Sequence, residues 1–265
     1  MGMALELVAA FDLDAAAAFG AMTVATGNSF TIRNAPLNTK VYLATMWFDA
    51  AIAAQVRVRS PRLHDNVQGL RFSVPINDPG PLFSPMVKQI LQPQDTLVVE
   101  DQAADAATDV HQLGMLVYYE DLPGVQARLA RPEFVVAHMQ HTVTVENTIT
   151  TTATGDYGGE EALNAEFDLL KANTDYALIG YTVSARCGNV RWRGADTGNL
   201  GVGGPGSVDD QSLTSGWFIW LAQMSGLACI PIFNSANRAG ILLDATQDDA
   251  GADVTVNSIL VELKP

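Results

Sequence analysis

Two five-residue stretches, Gln55-Val56-Arg57-Val58-Arg59 (QVRVR) and Asn189-Val190-Arg191-Trp192-Arg193 (NVRWR), decide how this chain is read. Each alternates apolar and basic side chains, which is the period-two pattern of a strand with one buried face. They stand 190 − 56 = 134 positions apart in a chain of 265 residues, so nearly the same strand is spelled once in each half. Extending the 134-residue offset to the left sets Tyr42 against Tyr176 and Ala51 against Ala185. To the right it sets Arg57 against Arg191, Arg59 against Arg193 and Gly69 against Gly203, with no gap from Lys40 to Leu70.

The ends of the halves repeat as well. LVVEDQAADAATDVHQLGMLVYYE, from Leu97 to Glu120, lies 241 − 97 = 144 positions before ILLDATQDDAGADVTVNSILVELK, from Ile241 to Lys264. Asp105 meets Asp249, Asp109 meets Asp253, Val110 meets Val254, Leu116 meets Leu260 and Val117 meets Val261. Each segment is an apolar strand, an acidic loop and a second apolar strand. The offsets differ by 144 − 134 = 10 residues, which the Gly-, Ser- and Asp-rich stretch RGADTGNLGVGGPGSVDDQSLTSG (Arg193 to Gly216) can absorb as a loop. Both offsets are even. An even shift keeps every side chain on its face, so Val56 and Val58 share a core face with Val190 and Trp192, and the arginines point outward in both halves. Arginine on the polar side of a half-exposed strand is also ordinary.

The spacing predicts strands near 28–33, 40–48, 53–59, 68–76, 94–100 and 112–120 in the first half. In the second half it predicts them near 163–169, 175–184, 187–193, 216–222, 227–233, 239–244 and 253–263. Close spacing with Gly, Pro, Asn and Asp between strands predicts an all-β chain: two tandem β-sandwiches of about eight strands each, a number that suits a jelly roll. ALELVAAFDLDAAAAF, near the N-terminus, predicts an acidic amphipathic helix outside the repeat, and SPMVKQIL a short helix. TVTVENTITTTATGDYGG is either a linker or the first strand of the second copy. The expected organisation is an N-terminal extension over 1–24, a first jelly roll over 25–140 and a second over 141–265.

Composition bounds the function classes. With 48% apolar and 17% charged residues the chain is a folded one. The net charge of −14 argues against coating nucleic acid by counterion release. Cys187 and Cys229 make no disulfide framework, and Cys229 sits in the apolar run LACIPIF. The N-terminus lacks the basic region of a signal peptide. From Gln211 to Asn237 there is no charge, but GWFIWLAQMSGLACIPIF is interrupted by Gln223, Ser225, Gly226 and Pro231. Two buried strands joined at QMSG explain it better than a membrane span.

No catalytic motif competes with the repeat. GVGGPG (Gly201 to Gly206) fits G-x-G-x-x-G, but no helix pattern follows it, so it is expected to be a flexible loop and no cofactor is expected. His138 and His141 have the spacing of a helical metal pair, yet FVVAHMQHTVTV reads as strand, where the two point to opposite faces. The acidic loops are the weak cation candidates: Asp105 and Asp109 with Glu100 and Asp101, and Asp249 and Asp253 with Asp244 and Asp248, without the alternate spacing of a calcium loop. No G-x-S-x-G elbow is present, and nothing sets a Ser or Cys beside a His base.

On the paired segments Tyr42 to Gly69 with Tyr176 to Gly203, and Leu97 to Glu120 with Ile241 to Lys264, the chain resembles the double jelly-roll major capsid proteins of membrane-containing bacteriophages and adenoviruses. The likeness covers about residues 25–265 and is one of architecture. It implies homotrimers that act as pseudo-hexagonal tiles of an icosahedral virion shell. It also implies neighbouring capsomers, minor capsid proteins or an internal membrane as partners, no direct contact with nucleic acid, and no catalytic residue. Two other classes share paired jelly rolls or sandwiches: glycan-trimming amidases with a carboxylate site between the domains, and carbohydrate-binding tail or surface modules.

Overall fold

The computed structural model describes residues 2–36, 40–63, 66–74, 85–103, 110–163, 170–206 and 211–264. Within them the chain is mostly β-strand, in four antiparallel sheets with few helices, as expected of all-β sandwiches. The strands up to Leu122 are β1 (Gly2–Asp12), β2 (Gly20–Ala21), β3 (Thr23–Val24), β4 (Val41–Asp49), β5 (Ala54–Arg59), β6 (Leu70–Val74), β7 (Gln89–Leu91), β8 (Val98–Ala103) and β9 (His111–Leu122). They form one sheet of order β3-β1-β9-β4-β7 and a facing sheet of order β2-β8-β5-β6. The rest of the chain contains β10 (Leu129–Ala130), α1 (Pro132–His138), β11 (Met139–Thr150), β12 (Tyr157–Ala162), β13 (Asp175–Val183), β14 (Cys187–Arg193) and β15 (Val202–Gly206). After these come α2 (Gln211–Thr214), α3 (Trp217–Ser225), β16 (Ile230–Asn234), β17 (Leu242–Thr246) and β18 (Asp253–Leu263). Their sheets run β10-β16-β13-β18-β11 and β12-β17-β14-β15.

Strand order therefore repeats: β1-β9-β4-β7 corresponds to β11-β18-β13-β16, and β2-β8-β5-β6 to β12-β17-β14-β15. Pairing registers fix the correspondence residue by residue. Arg57 opposite Glu100 matches Arg191 opposite Asp244, which keeps the offsets of 134 and 144. The flanking strands correct them. Val41 opposite Tyr119 and Leu43 opposite Val117 match Tyr176 opposite Glu262 and Leu178 opposite Leu260. The offsets there are 176 − 41 = 135 and 262 − 119 = 143, both odd, and a bulge at residue 44 recurs at residue 179. At the even shift Tyr42 would share a face with Tyr176, but Tyr42 is half-buried under Lys88 while Tyr176 is buried in the core. A single-residue shift between neighbouring strands restores the faces, so the copies do need a gap between Lys40 and Leu70.

In the sheet β3-β1-β9-β4-β7 the strands β1, β9 and β4 are buried on both sides. Ala4, Val8, Ala10, Met46, Phe48, Leu113, Met115 and Val117 fill the space between it and the β5 sheet. Leu5, Leu7, Trp47, Leu116 and Tyr118, from the alternate positions, join the core of the second half. This double burial accounts for one correction. The stretch predicted as an N-terminal helix is the strand β1, eleven residues long and central to the first sheet. Strands covered on both faces are apolar at successive positions, which erases the alternation by which a strand is recognised.

Other elements depart from expectation. SPMVKQIL ends in β7 rather than forming a helix. The run GWFIW forms α3, closed by Gly226 in the left-handed conformation, and only its second half, in β16, is strand. Trp217, Phe218 and Leu221 are all buried, so an apolar run with little periodicity is here a buried helix. GVGGPG, expected as a loop, contains the fully buried strand β15. Arg57 opposite Arg71 matches Arg191 opposite Gly203, and Leu91 opposite Val41 matches Phe233 opposite Tyr176. The offset thus rises from 203 − 71 = 132 to 233 − 91 = 142 between β15 and β16. The ten extra residues lie in the connection that holds α2 and α3. TVTVENTIT is strand, in β11, and the predicted strand over 163–169 falls almost wholly outside the described residues. No helix among the described residues is long and apolar enough to cross a membrane.

Close approach of the sheets demands glycine at the junction of the halves. A Cβ on Gly114 would overlap the Trp47 ring and Asn189, whereas one on Gly20 would meet open space. Gly114→Ala should therefore destabilise the protein by about 1–3 kcal/mol in urea denaturation, while Gly20→Ala stays near neutral.

Candidate functional site

The arginine strands that reveal the repeat also mark the surfaces on which its halves differ. In the second half, β14 turns Val190 and Trp192 into its own core and Asn189 and Arg191 out of it. Outward here means against the first half. Arg191 is 3% exposed. Its Nε and Nη2 donate to Asp244 Oδ1 and Oδ2, each at 2.7 Å, and its guanidinium carbon lies 3.5 Å from the centre of the Tyr157 ring. Nη1 donates at 3.0 Å to the backbone oxygen of Thr26, in the first half. A planar guanidinium gripped by a carboxylate and stacked on a ring leaves one edge free to reach across the junction. Burial pushes the Asp244 carboxyl and the Tyr157 phenol up, and Arg191 pulls both back.

The same device stands on the first half, in the open. Arg57 Nε donates to Glu100 Oε2 at 2.7 Å, and its guanidinium carbon lies 4.1 Å from the Phe19 ring. Phe19 corresponds to Tyr157, since Gly20 opposite Asp101 matches Gly158 opposite Ala245. Arg59 also binds Glu100, through Nε at 2.7 Å and Nη2 at 3.0 Å. Arg71 also lies over the Phe19 ring, 4.9 Å from its centre, and donates to Gln55. Side-chain exposure is 19% for Arg57 and 32% for Arg59, against 4% for Arg191. Arg59 foremost, then Arg57, hold the Glu100 carboxyl down from its ordinary 4.5 to about 2.

Further polar contacts fix the two halves together. Trp47 Nε1 donates to Gly188 O at 3.0 Å and Leu7 N to Gly201 O at 2.7 Å. Gln112 Nε2 donates to Asp248 Oδ1 at 2.8 Å, and Arg186 binds Asp49. Thr26 donates to Asp156 from both its backbone N, at 2.7 Å, and its Oγ1, at 2.6 Å.

Some of the residues singled out for metal chemistry fall among the described ones. Asp249 and Asp253 are exposed; the first accepts a bond at its backbone oxygen from Thr151 and the second caps Thr150. Asp105 and Asp109 lie outside the described residues, as does His64. His138 ends α1, stacked on Phe134, and is helical rather than part of a strand; His141 lies on β11. His111 and Asp101 are fully buried and meet at 2.6 Å, tying the two sheets of the first half together. No group of three or more His, Cys, Asp or Glu able to hold a metal occurs among the described residues. Two cavities of about 110 and 120 Å³ flank Arg193 and Asp175, well below the 300–1,000 Å³ typical of ligand pockets. Sequence reasoning found the arginines and singled out Glu100 and Asp244 as cation candidates, but missed that these carboxylates pair with the arginines, and missed the rings. The signal was present, because Glu100 and Asp244 occupy equivalent positions at the offset of 144.

No family model and no curated protein matches the chain. Among solved structures it is similar to the PBSX exported protein XepA, at 8% identity and TM-score 0.24, over 97% of this chain and 86% of that one. It is also similar to YhaK from Escherichia coli, at 9% and 0.22 over 98% and 86%, and to the major capsid protein P2 from bacteriophage PM2, at 8% and 0.23 over 99% and 98%.

The two arginine faces yield two expected outcomes. Asp244→Ala should cost about 3–5 kcal/mol in chemical denaturation, because it strands a buried guanidinium, whereas replacing Asp244 and Arg191 together by apolar residues should cost less. Glu100 binds protons less readily folded than unfolded, so its contribution is present above pH 4.5 and is lost as pH falls toward 2. Glu100→Gln should flatten the acid limb of stability in that window, measured by thermal melts against pH.

Proposed function

We propose that the chain is a structural subunit of a bacteriophage shell, of the double jelly-roll major capsid class, and that it works in the virion without a catalytic residue. The observation that carries this reading is the repeated strand order, in which eight equivalent strands recur in two units packed side by side through strands buried on both faces. Orders of β1-β9-β4-β7 and β2-β8-β5-β6, each antiparallel, suit a jelly roll. In this reading β1 belongs to the first unit, which spans residues 2–122, and the second spans 129–263. The extension proposed over 1–24 is then part of the first unit rather than an appendage.

Such a unit tiles because a head-to-tail contact that closes makes a ring. Three chains, each contributing two similar sandwiches, give a pseudo-hexagonal trimer that can cover an icosahedral facet. Minor shell proteins or an inner membrane would lie beneath it. Sedimentation velocity and electron microscopy of the purified protein test the reading: trimers or larger shells are expected, and a monomer that persists at high concentration would overturn it.

A further inference from the structure

We propose that the outer face of the β2-β8-β5-β6 sheet docks a second copy of this chain, and that Arg57 of one copy pairs there with Glu146 of the next. The occupant rests on the shell-subunit reading; the face and the pair rest on the internal repeat. Within one chain, the outer face of β1-β9-β4 covers the outer face of β12-β17-β14-β15. Among the described residues the matching faces, those of β11-β18-β13 and of β2-β8-β5-β6, do not meet, and the turn at Thr214 and Ser215 lies against Gly180 on β13. A second copy can bring them together by repeating the contact that the first half already makes with the second.

The registers say which residues would meet. Ala9 opposite Gly114 matches Glu146 opposite Asn257, and Trp47 opposite Gly114 matches Thr182 opposite Asn257. Leu7 opposite Leu116 matches Thr144 opposite Ile259, and Leu5 opposite Tyr118 matches Thr142 opposite Val261. Inside the chain Ala9 packs against Tyr157, the ring beneath Arg191. Its counterpart Glu146 would therefore arrive beside Phe19, the ring beneath Arg57. Glu146 is exposed on β11, between exposed Thr144 and Thr148, and no ion pair joins it to a cation among the described residues.

The chemistry of the two faces is complementary. Arg57 and Arg59 share one carboxylate partner, Glu100, while Arg71 donates to Gln55, on a face that also carries the Phe19 ring. The facing strand supplies Glu146 and a row of threonines. On β11 and β13 the junction residues Leu5, Leu7, Ala9 and Trp47 become Thr142, Thr144, Glu146 and Thr182, while on β18 Leu116 and Tyr118 become Ile259 and Val261 and stay apolar. Such a face stays soluble before assembly and associates through polar pairs, as interfaces formed between separately folded chains do.

Charge reversal tests the pair on the full chain, with sedimentation velocity as the readout and thermal melts as a check on folding. Glu146→Arg and Arg57→Glu, each alone, should weaken self-association by about tenfold or more, and the double variant should recover most of it. Because Arg57→Glu also sets a carboxylate beside Glu100, a second measurement stands apart from it. Arg57→Cys and Glu146→Cys, made in separate chains and mixed, should join as a disulfide-linked dimer under mild oxidation; the native Cys187 and Cys229 are buried. Self-association unchanged by the charge variants, with no cross-link in the mixture, would overturn this pairing and leave the shell reading intact. A wild-type chain that never self-associates would overturn both.

Discussion

A sheet with no free face governs this molecule. β1, β9 and β4 present apolar side chains to their own sandwich and to the second half, so neither half can part from the other without exposing Leu5, Leu7, Trp47, Leu116 and Tyr118. At about 25 cal/mol per Å² of apolar area, burying a side chain of that size contributes about 1.5–3 kcal/mol, and five of them outweigh any single polar contact across the junction. The demand for close approach also explains the glycines. Gly203 lets the Leu7 methyl come against β15, and a Cβ there would sit 2.8 Å from it. The first-half counterpart of Gly203 is Arg71, which is exposed beside the Phe19 ring.

This constraint also decides what could be read from the sequence. The arginine strands were legible because each keeps one polar face, so period two survives in QVRVR and NVRWR. The acidic residues opposite them were recoverable from the offset of 144 for the same reason. β1 was not legible, since ALELVAAF is apolar on both faces and mimics a helix. β15 was missed because glycine and proline signal a loop, and only the close packing of Leu7 and Tyr181 reveals why a strand there has almost no side chains. Face preservation at even offsets failed on β4 and β9 because single-residue changes in the connecting loops are invisible to sparse identities. GWFIW became a helix rather than a strand because its aromatic residues fill the gap beside β13 and reach Trp47 and Trp192, a tertiary demand that local propensity does not encode.

The polar contacts at the junction have a different task from its apolar ones. Two greasy sheets can slide over one another with little change in buried area. Arg191 reaching Thr26 O, Trp47 reaching Gly188 O and Leu7 N reaching Gly201 O are satisfied in one register, and a slip would strand each of them in a dry interface. Apolar area holds the halves together, and these bonds set how they are held. The first-half arginine face has the second set of groups without the first. In the contact proposed between copies, those groups would set the arrangement of the pair more than the strength with which it holds.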